Sequence, residues 1–242
     1  MSAETRIIPL TDEFMKDKKI YANMWAFLQT ISYLSKDKQR FVYKTHFTMK
    51  EMHETIATEE KGKLNPSLST VKNVWKLFKE IGLVKEGKIE DLSGNAVDVY
   101  ILSQDFSIFQ PIPLQTLSFL INVSNSNVIK VYAYLLNKYK WKQKENQWYT
   151  FTIKELLSAI GYSYKNDNVK MMSDILEMLK AIQLIDYQIT YYKQVGKPPI
   201  PTHTLTLARE YKPREEKKEE KVIRAYQIMN NYGFDVSKDF KF

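Results

Sequence analysis

The chain has 242 residues, of which 44% are hydrophobic and 13% aromatic, so it can bury the cores of two ordinary domains. It contains no cysteine, which excludes disulfide scaffolds, cysteine nucleophiles and thiolate zinc sites. The formal net charge is +8, from 36 basic and 28 acidic side chains; this excess suits a polyanionic partner without requiring one.

The amino terminus reads MSAETRIIPLTDEF and lacks the apolar core of a signal peptide. No run in the chain approaches the roughly 20 apolar residues that a membrane-spanning helix needs. We therefore expect a cytoplasmic protein with no membrane partner.

An internal repeat relates the two halves of the chain. The segment FTMKEM at 47–52 is answered by FTIKEL at 151–156, and the same offset of 104 relates IPL at 8–10 to IPL at 112–114. Each copy spans roughly 95 residues, which is too long for a solenoid unit and suits a small domain. The repeat predicts a first domain at 1–108 and a second at 109–208. Residues 209–242 are expected to form a charged linker and an amphipathic carboxy-terminal helix.

Within each copy, the hydrophobic spacing predicts a helix, a short strand, two helices and a β-hairpin. In the first copy, the predicted first helix is 19–34, the strand 41–46, and the hairpin strands 83–91 and 96–102. In the second copy, the first helix is 126–139, the strand 147–151, the third helix 166–182, and the hairpin strands 184–192 and 202–207. Thr48 and Thr152 each stand three residues before a glutamate, Glu51 and Glu155, which predicts a capping box at the start of each second helix.

The third helix of the first copy has one apolar and one polar face. Val71, Val74, Phe78 and Ile81 recur at helical spacing, whereas Lys72, Asn73 and Lys76 lie on the other face. A Ser/Thr cluster precedes the helix and an Ile-Gly-Leu-Val segment follows it.

This order of elements resembles the winged-helix domain, and Thr70–Val84 looks like its recognition helix running into the wing. The resemblance implies an α+β, mainly α fold with two tandem winged-helix domains and a carboxy-terminal helix. It also implies that the third helix enters the major groove of DNA and that the wing contacts phosphates. In the first copy, the implied DNA-binding residues are Ser67, Ser69, Thr70, Lys72, Asn73, Lys76, Lys85 and Lys88. In the second copy they are Lys165, Asn166, Asn168, Lys170, Lys193 and Lys197.

A more particular resemblance rests on the IPL lead-in, the VYAYLL core at 131–136 and the capping-box helix. These features are similar to the amino-terminal winged-helix domains of replication initiators from plasmids and phages of low-GC Gram-positive bacteria. The resemblance implies sequence-specific binding of double-stranded DNA at a plasmid or phage origin. A transcriptional regulator of a mobile element and a winged-helix protein-interaction scaffold are the alternatives. Replication or regulatory proteins are further partners left open, as is the choice between monomer and dimer.

Enzyme and metal motifs are missing from the sequence. It has no Gly-rich phosphate loop, nucleophile elbow or metal-binding helix motif. The three histidines, His46, His53 and His203, include no pair four residues apart. We therefore expect no enzyme, no catalytic residues, no metal site and no cofactor.

The two copies differ in charge. When the third helices are aligned, Lys72, Asn73 and Lys76 correspond to Ser173, Asp174 and Glu177. Two of these three residues of the second copy are carboxylates. Yet the second copy has 11 basic and 6 acidic residues, against 16 and 15 in the first. We therefore expect the first copy to read bases, and the second to contact the DNA backbone or to bind a protein partner.

Aromatic residues are expected mainly in the core. The helical spacing places on apolar faces the side chains of Trp25, Trp75, Tyr132 and Tyr134. Core or surface packing is also the preferred interpretation of three aromatic residues beside a Lys-rich segment, Trp141, Trp148 and Tyr149. Stacking on a nucleotide is the alternative for these three.

Overall fold

The computed structural model describes residues 4–56, 66–90, 94–145, 147–192 and 200–206. The chain divides into two compact units, Met1–Ile129 and Lys130–Phe242. Eight helices and three small antiparallel sheets make up the described part, which confirms a mixed α and β fold. None of these helices combines the length and apolarity that crossing a membrane requires. The predicted carboxy-terminal helix lies outside the described residues.

The first unit contains most of the secondary structure. Its elements are β1 (Thr5–Pro9), α1 (Asp12–Lys16), α2 (Ala22–Thr30), β2 (Tyr33–Leu34), β3 (Arg40–Tyr43), α3 (Met49–Ile56), α4 (Leu68–Glu80), β4 (Val84–Glu90), β5 (Ala96–Leu102), β6 (Phe109–Pro113) and α5 (Leu114–Val123). The four-stranded sheet has the order β2-β3-β5-β4, and β1 pairs separately with β6. The long helix α6 (Ser126–Lys144) crosses the boundary between the units.

Helix α2 is the centre of the first unit. Every residue from Ala22 to Gln29 is buried, and the Trp25 ring meets the rings of three phenylalanines edge-on, those of Phe14, Phe78 and Phe106. The helix ends earlier than predicted, because the Thr30 and Ser32 hydroxyls donate hydrogen bonds to two of its last carbonyl groups. The residues beyond it form β2 instead of a further helical turn.

The second unit continues from α6 into β7 (Thr150–Phe151), α7 (Ile153–Ala159), α8 (Asn166–Ala181), β8 (Asp186–Tyr192) and β9 (Ile200–Thr206). Its sheet has the order β7-β9-β8. The buried His203 ring stacks on Phe151 with centroids 5.1 Å apart, and Tyr187 packs against the same imidazole. These side chains hold the three strands to one core.

The two units repeat the same order of elements. In each, a helix, a strand, two helices and a hairpin follow one another, and the strand pairs with the second strand of the hairpin. The buried positions of α4 are Val71, Val74, Trp75 and Phe78. Each recurs 101 residues later as a buried position of α8, namely Met172, Ile175, Leu176 and Leu179. The two copies therefore bury equivalent positions of their third helices.

The lead-in strands of the two copies pair with each other. In β1 and β6, Arg6 lies opposite Ile112 and Ile8 lies opposite Gln110. Since Ile112 is the repeat equivalent of Ile8 and Gln110 that of Arg6, the pairing is symmetric between the two copies. This pairing places β6 in the first unit, and α5 packs on α2. The unit boundary therefore differs from the predicted boundary after residue 108, because the second lead-in needs the first as its strand partner.

The capping boxes of the two copies are not equivalent. At α3, the Thr48 amide donates to the Glu51 carboxylate at 2.6 Å, and the Glu51 amide donates to the Thr48 hydroxyl at 3.1 Å. At α7, the Thr152 hydroxyl accepts from the Glu155 amide, but the Glu155 carboxylate accepts from the Tyr149 hydroxyl at 2.8 Å. Burial raises the pKa of Tyr149, so its hydroxyl stays protonated and needs this acceptor.

We expect the second residue after each third helix to affect the free energy of unfolding. Gly82 has φ of 75° and Gln183 has φ of 62° at the equivalent position, and side chains disfavour this left-handed conformation. Gly82→Ala should lower the free energy of unfolding by about 1 kcal/mol, and Gln183→Gly should raise it by up to about 1 kcal/mol. A Cβ atom at Gly82 would meet only Lys85 Cε at 3.9 Å, so the loss comes from backbone strain and not from a steric clash.

Urea unfolding of both variants measures this difference. Ala181→Gly, at the last residue of α8, is the matched control and should lower stability, because the helical backbone there gains no conformational relief from glycine. Equal responses of Ala181→Gly and Gln183→Gly would contradict the assignment.

Candidate nucleic-acid interface

The start of α4 is an exposed cluster of hydroxyl groups. Ser67 caps the helix, with its Oγ atom accepting from the Thr70 amide at 3.2 Å. The same oxygen lies 2.8 Å from Ser69 Oγ and 3.0 Å from Thr70 Oγ1. The first turn of α4 carries no acidic residue, so nothing there opposes an anion at the positive end of the helix dipole.

One face of α4 is polar along its whole length. Its exposed positions follow the spacing of a single helical stripe and are Ser69, Lys72, Asn73, Lys76 and Glu80. The Lys76 ammonium lies 3.7 Å from the Glu80 carboxylate in an exposed pair, which is a weak interaction. The structure thus brings the predicted reading residues of α4 together on one accessible surface.

Strand β4 separates the two lysines that were predicted to act together in the wing. Lys88 lies on the same strand face as Glu86, whose carboxylate pairs with Lys79 of α4. Lys85 is paired in register with Ile101 on the opposite face. Lys88 is therefore on the α4 side of the hairpin and Lys85 is not.

Glu86 forms ion pairs with two other lysines, Lys79 of α4 and Lys44 after β3. Its carboxylate pairs with Lys44 at 2.6 Å and with Lys79 at 2.5 Å. The hydrogen bond from Lys44, together with that from Lys79, lowers the pKa of Glu86 to about 2, and the same contact raises the pKa of Lys44. Within the described part of the chain, the positive charge available to a polyanion at α4 therefore comes from Lys72, Lys76 and Lys88.

The start of α8 differs from that of α4. Lys165, Asn166 and Lys170 are exposed, but the Asn168 amide donates to the Ser163 carbonyl at 2.8 Å and so holds the preceding turn. Asp167 adds a carboxylate to the first turn. The predicted residues Lys193 and Lys197 lie outside the described residues.

The middle of α8 is half-buried and acidic. The Glu177 carboxylate accepts a 2.6 Å hydrogen bond from the Tyr187 hydroxyl of β8, and Ser173 donates to the Val169 carbonyl. Burial raises the pKa of Asp174. The three positions that match Lys72, Asn73 and Lys76 therefore present neither cations nor a fully accessible stripe.

The predicted core aromatic residues are largely confirmed. Trp25, Trp75 and Tyr132 are buried, whereas Tyr134 is half-buried and donates a hydrogen bond to Glu155. Of the three aromatic residues beside the Lys-rich segment, Tyr149 is buried, and the other two, Trp141 and Trp148, are exposed. The sequence favoured core or surface packing for these indoles; neither lies in the core, and their charged neighbours were a signal of exposure.

Metal ligands and known relatives give no further assignment. Within the described ranges, no group of three or more His, Cys, Asp or Glu side chains could hold a metal ion. No protein-family model, curated protein or solved structure matches this chain.

Proposed function

We propose that the first unit is a winged-helix module that binds double-stranded DNA sequence-specifically, with α4 in the major groove and the β4-β5 hairpin as the wing. The main support for this proposal is the amphipathic character of α4. Four apolar residues are buried on one side, and Ser69, Lys72, Asn73 and Lys76 are exposed on the other. The strand order β3-β5-β4 supports the same assignment. A helix of about 10–12 Å diameter fits a major groove about 12 Å wide.

The side chains of α4 suit two different roles on DNA. The Asn73 amide can donate to and accept from an adenine edge, which is how asparagine reads a base. Lys72, Lys76 and Lys88 supply point charges for phosphates, which position a protein without reading sequence.

The second unit repeats the same elements, and we propose that it is a second winged-helix module with a different task. Lys165 and Lys170 at the start of α8 suit backbone phosphates. The carboxylates of Asp174 and Glu177 disfavour entry of the middle of α8 into an acceptor-rich groove. These acidic side chains favour a second candidate function for this unit, the binding of a basic protein surface.

The biological role we propose is replication initiation at the origin of a plasmid or phage. Regulation of transcription needs the same reading surface, so the choice of DNA separates the two roles. A gel-shift titration of the full chain compares a plasmid origin rich in direct repeats, a promoter region of the same element and random duplex of equal length.

The expected result is a preference of at least about 10³-fold for the origin over random duplex. Tighter binding to the promoter region would favour regulation. Equal affinity for all three would contradict sequence-specific reading and leave the protein-binding function.

A further inference from the structure

The four tryptophans of this chain fall into two opposite environments. Trp25 and Trp75 are 0% and 8% exposed in the first unit, whereas Trp141 and Trp148 are 58% and 69% exposed in the second. The two exposed indoles leave apolar ring faces in water, where a ligand or partner can reach them.

The backbone at the end of α6 places one exposed indole on each side of a short hydrogen-bonded segment. At the end of α6, the amides of Glu145 and Gln147 both donate to the Lys142 carbonyl, at 3.0 and 2.9 Å. The Lys142 ammonium also donates to the Gln147 side-chain carbonyl at 3.0 Å. Because Trp141 precedes Lys142 and Trp148 follows Gln147, the indoles flank the same turn.

Several lysines lie close to this turn in the sequence. The last part of α6 carries Lys138, Lys140, Lys142 and Lys144. The Lys142 ammonium pairs with Glu145 at 2.9 Å and lies 5.7 Å from the centre of the Trp141 ring. Lys140 and Lys144 are exposed and form no ion pair with a described residue. We call the group formed by Trp141, Trp148, Lys140 and Lys144 the tryptophan corner.

We propose that the tryptophan corner binds single-stranded nucleic acid, with unpaired bases stacked on the indoles and phosphates held by the lysines. Every base offers a π-face, and stacking on aromatic side chains combined with cationic contacts to the backbone is the usual basis of binding to single strands. In duplex DNA those faces are covered by neighbouring base pairs, so the indoles have no equivalent partner there. The site is independent of the duplex-reading surface proposed for α4.

The surface next to Trp148 suits the same ligand. Tyr149 continues the β7 ladder through its carbonyl, which accepts from Leu205, so Trp148 directly precedes the paired part of this strand and Thr150 begins β7. Across the strands from Thr150 lie Thr204 and then Gln188. Hydroxyl and amide groups therefore line the face beside the corner and can bond to bases or sugars.

A bilayer surface fits the corner less well. An interfacial helix needs an apolar face that enters the lipid. The apolar residues of α6 are buried in the protein core, including Ile129, Leu135 and Leu136. The residues of α6 that share the helix face of Trp141, three or four positions away, are Asn137, Lys138 and Lys144, and all of them are polar.

The test is a titration of the full chain with a fluorescein-labelled 15-nucleotide oligo-dT, read by anisotropy and by tryptophan emission. Binding should quench the emission of the exposed indoles. Trp141→Leu and Trp148→Leu should each weaken binding roughly tenfold, because stacking on one ring is lost. Replacing Lys140 and Lys144 together by Gln should flatten the dependence of log affinity on log salt by about 1.4, at about 0.7 for each lost phosphate contact on a single strand.

Tyr191→Ala is the matched control, because this ring is 66% exposed in the same unit and should leave oligo-dT binding unchanged. Circular dichroism shows whether each variant is folded. If folded Trp141→Leu and Trp148→Leu bind oligo-dT as tightly as the unaltered chain, the proposal is wrong. It is also wrong if oligo-dT fails to bind while vesicles with anionic lipid shift the emission to the blue, since the corner would then be a membrane contact. Sequence-specific duplex binding, measured in parallel, can succeed or fail in either case.

Discussion

Replacing Trp25 with alanine is expected to lower the free energy of unfolding by about 3–5 kcal/mol. The side chain is 0% exposed and meets three phenylalanine rings edge-on, at centroid distances of 5.8 to 6.5 Å. Its indole N–H donates to the Ile7 carbonyl at 2.9 Å, so the truncation also leaves a backbone acceptor of β1 without this partner. Denaturant unfolding followed by circular dichroism measures the loss.

Two further substitutions test the cause of this loss. Trp25→Phe keeps most of the apolar contact and should cost less than alanine. Trp141→Ala removes the same side chain at an exposed position and should change stability by no more than about 0.5 kcal/mol. Similar losses for Trp25→Ala and Trp141→Ala would contradict the central position of α2 in the core.

Asn73→Ala is expected to weaken binding to the preferred duplex by about 1–3 kcal/mol, while affinity for random duplex changes little. Asn73 lies in the middle of the exposed α4 stripe, between Lys72 and Lys76. An amide at this position can satisfy a donor and an acceptor of one base, and alanine can satisfy neither. Competition titrations with single-base variants of the preferred site would locate the base that loses discrimination.

Lys88→Ala should act differently, because a phosphate contact carries no sequence information. It should weaken specific and random duplex alike and flatten the dependence of log affinity on log salt by about 0.9. Lys85→Ala is its matched control on the other face of β4 and should have a smaller effect. Equal effects of the two substitutions would contradict the assignment of the wing face.

Asp174→Ala is the control for Asn73→Ala, since it changes the equivalent position of α8. It should leave base preference unchanged, because the middle of α8 is half-buried and acidic. A uniform loss on all duplexes from Asn73→Ala would show that this residue does not read a base. Loss of preference from Asp174→Ala would move the reading surface to the second unit.

The amino-acid sequence by itself determined the elements that depend on local spacing. The periodicity of apolar residues located α8 from Asn166 and ended it within one residue of its observed end. Alternation located β5 at Ala96–Leu102, and the Thr48-to-Glu51 spacing located the start of α3. Duplicate patterns also showed that the fold repeats, since the same residues must be buried in each copy. These properties need only neighbours along the chain.

Tertiary structure alone decided which side chains remain available for a ligand. The Glu155 carboxylate leaves its helix cap because a tyrosine hydroxyl of the folded unit lies 2.8 Å away. Strand register sends Lys85 and Lys88 to opposite faces, and Trp141 and Trp148, one before and one after the hydrogen-bonded segment at Lys142, stay outside the core. The lead-in strand of the second copy joins the first unit because its partner lies there. Each of these outcomes depends on backbone and side-chain groups that meet only after folding, so no local pattern encodes them.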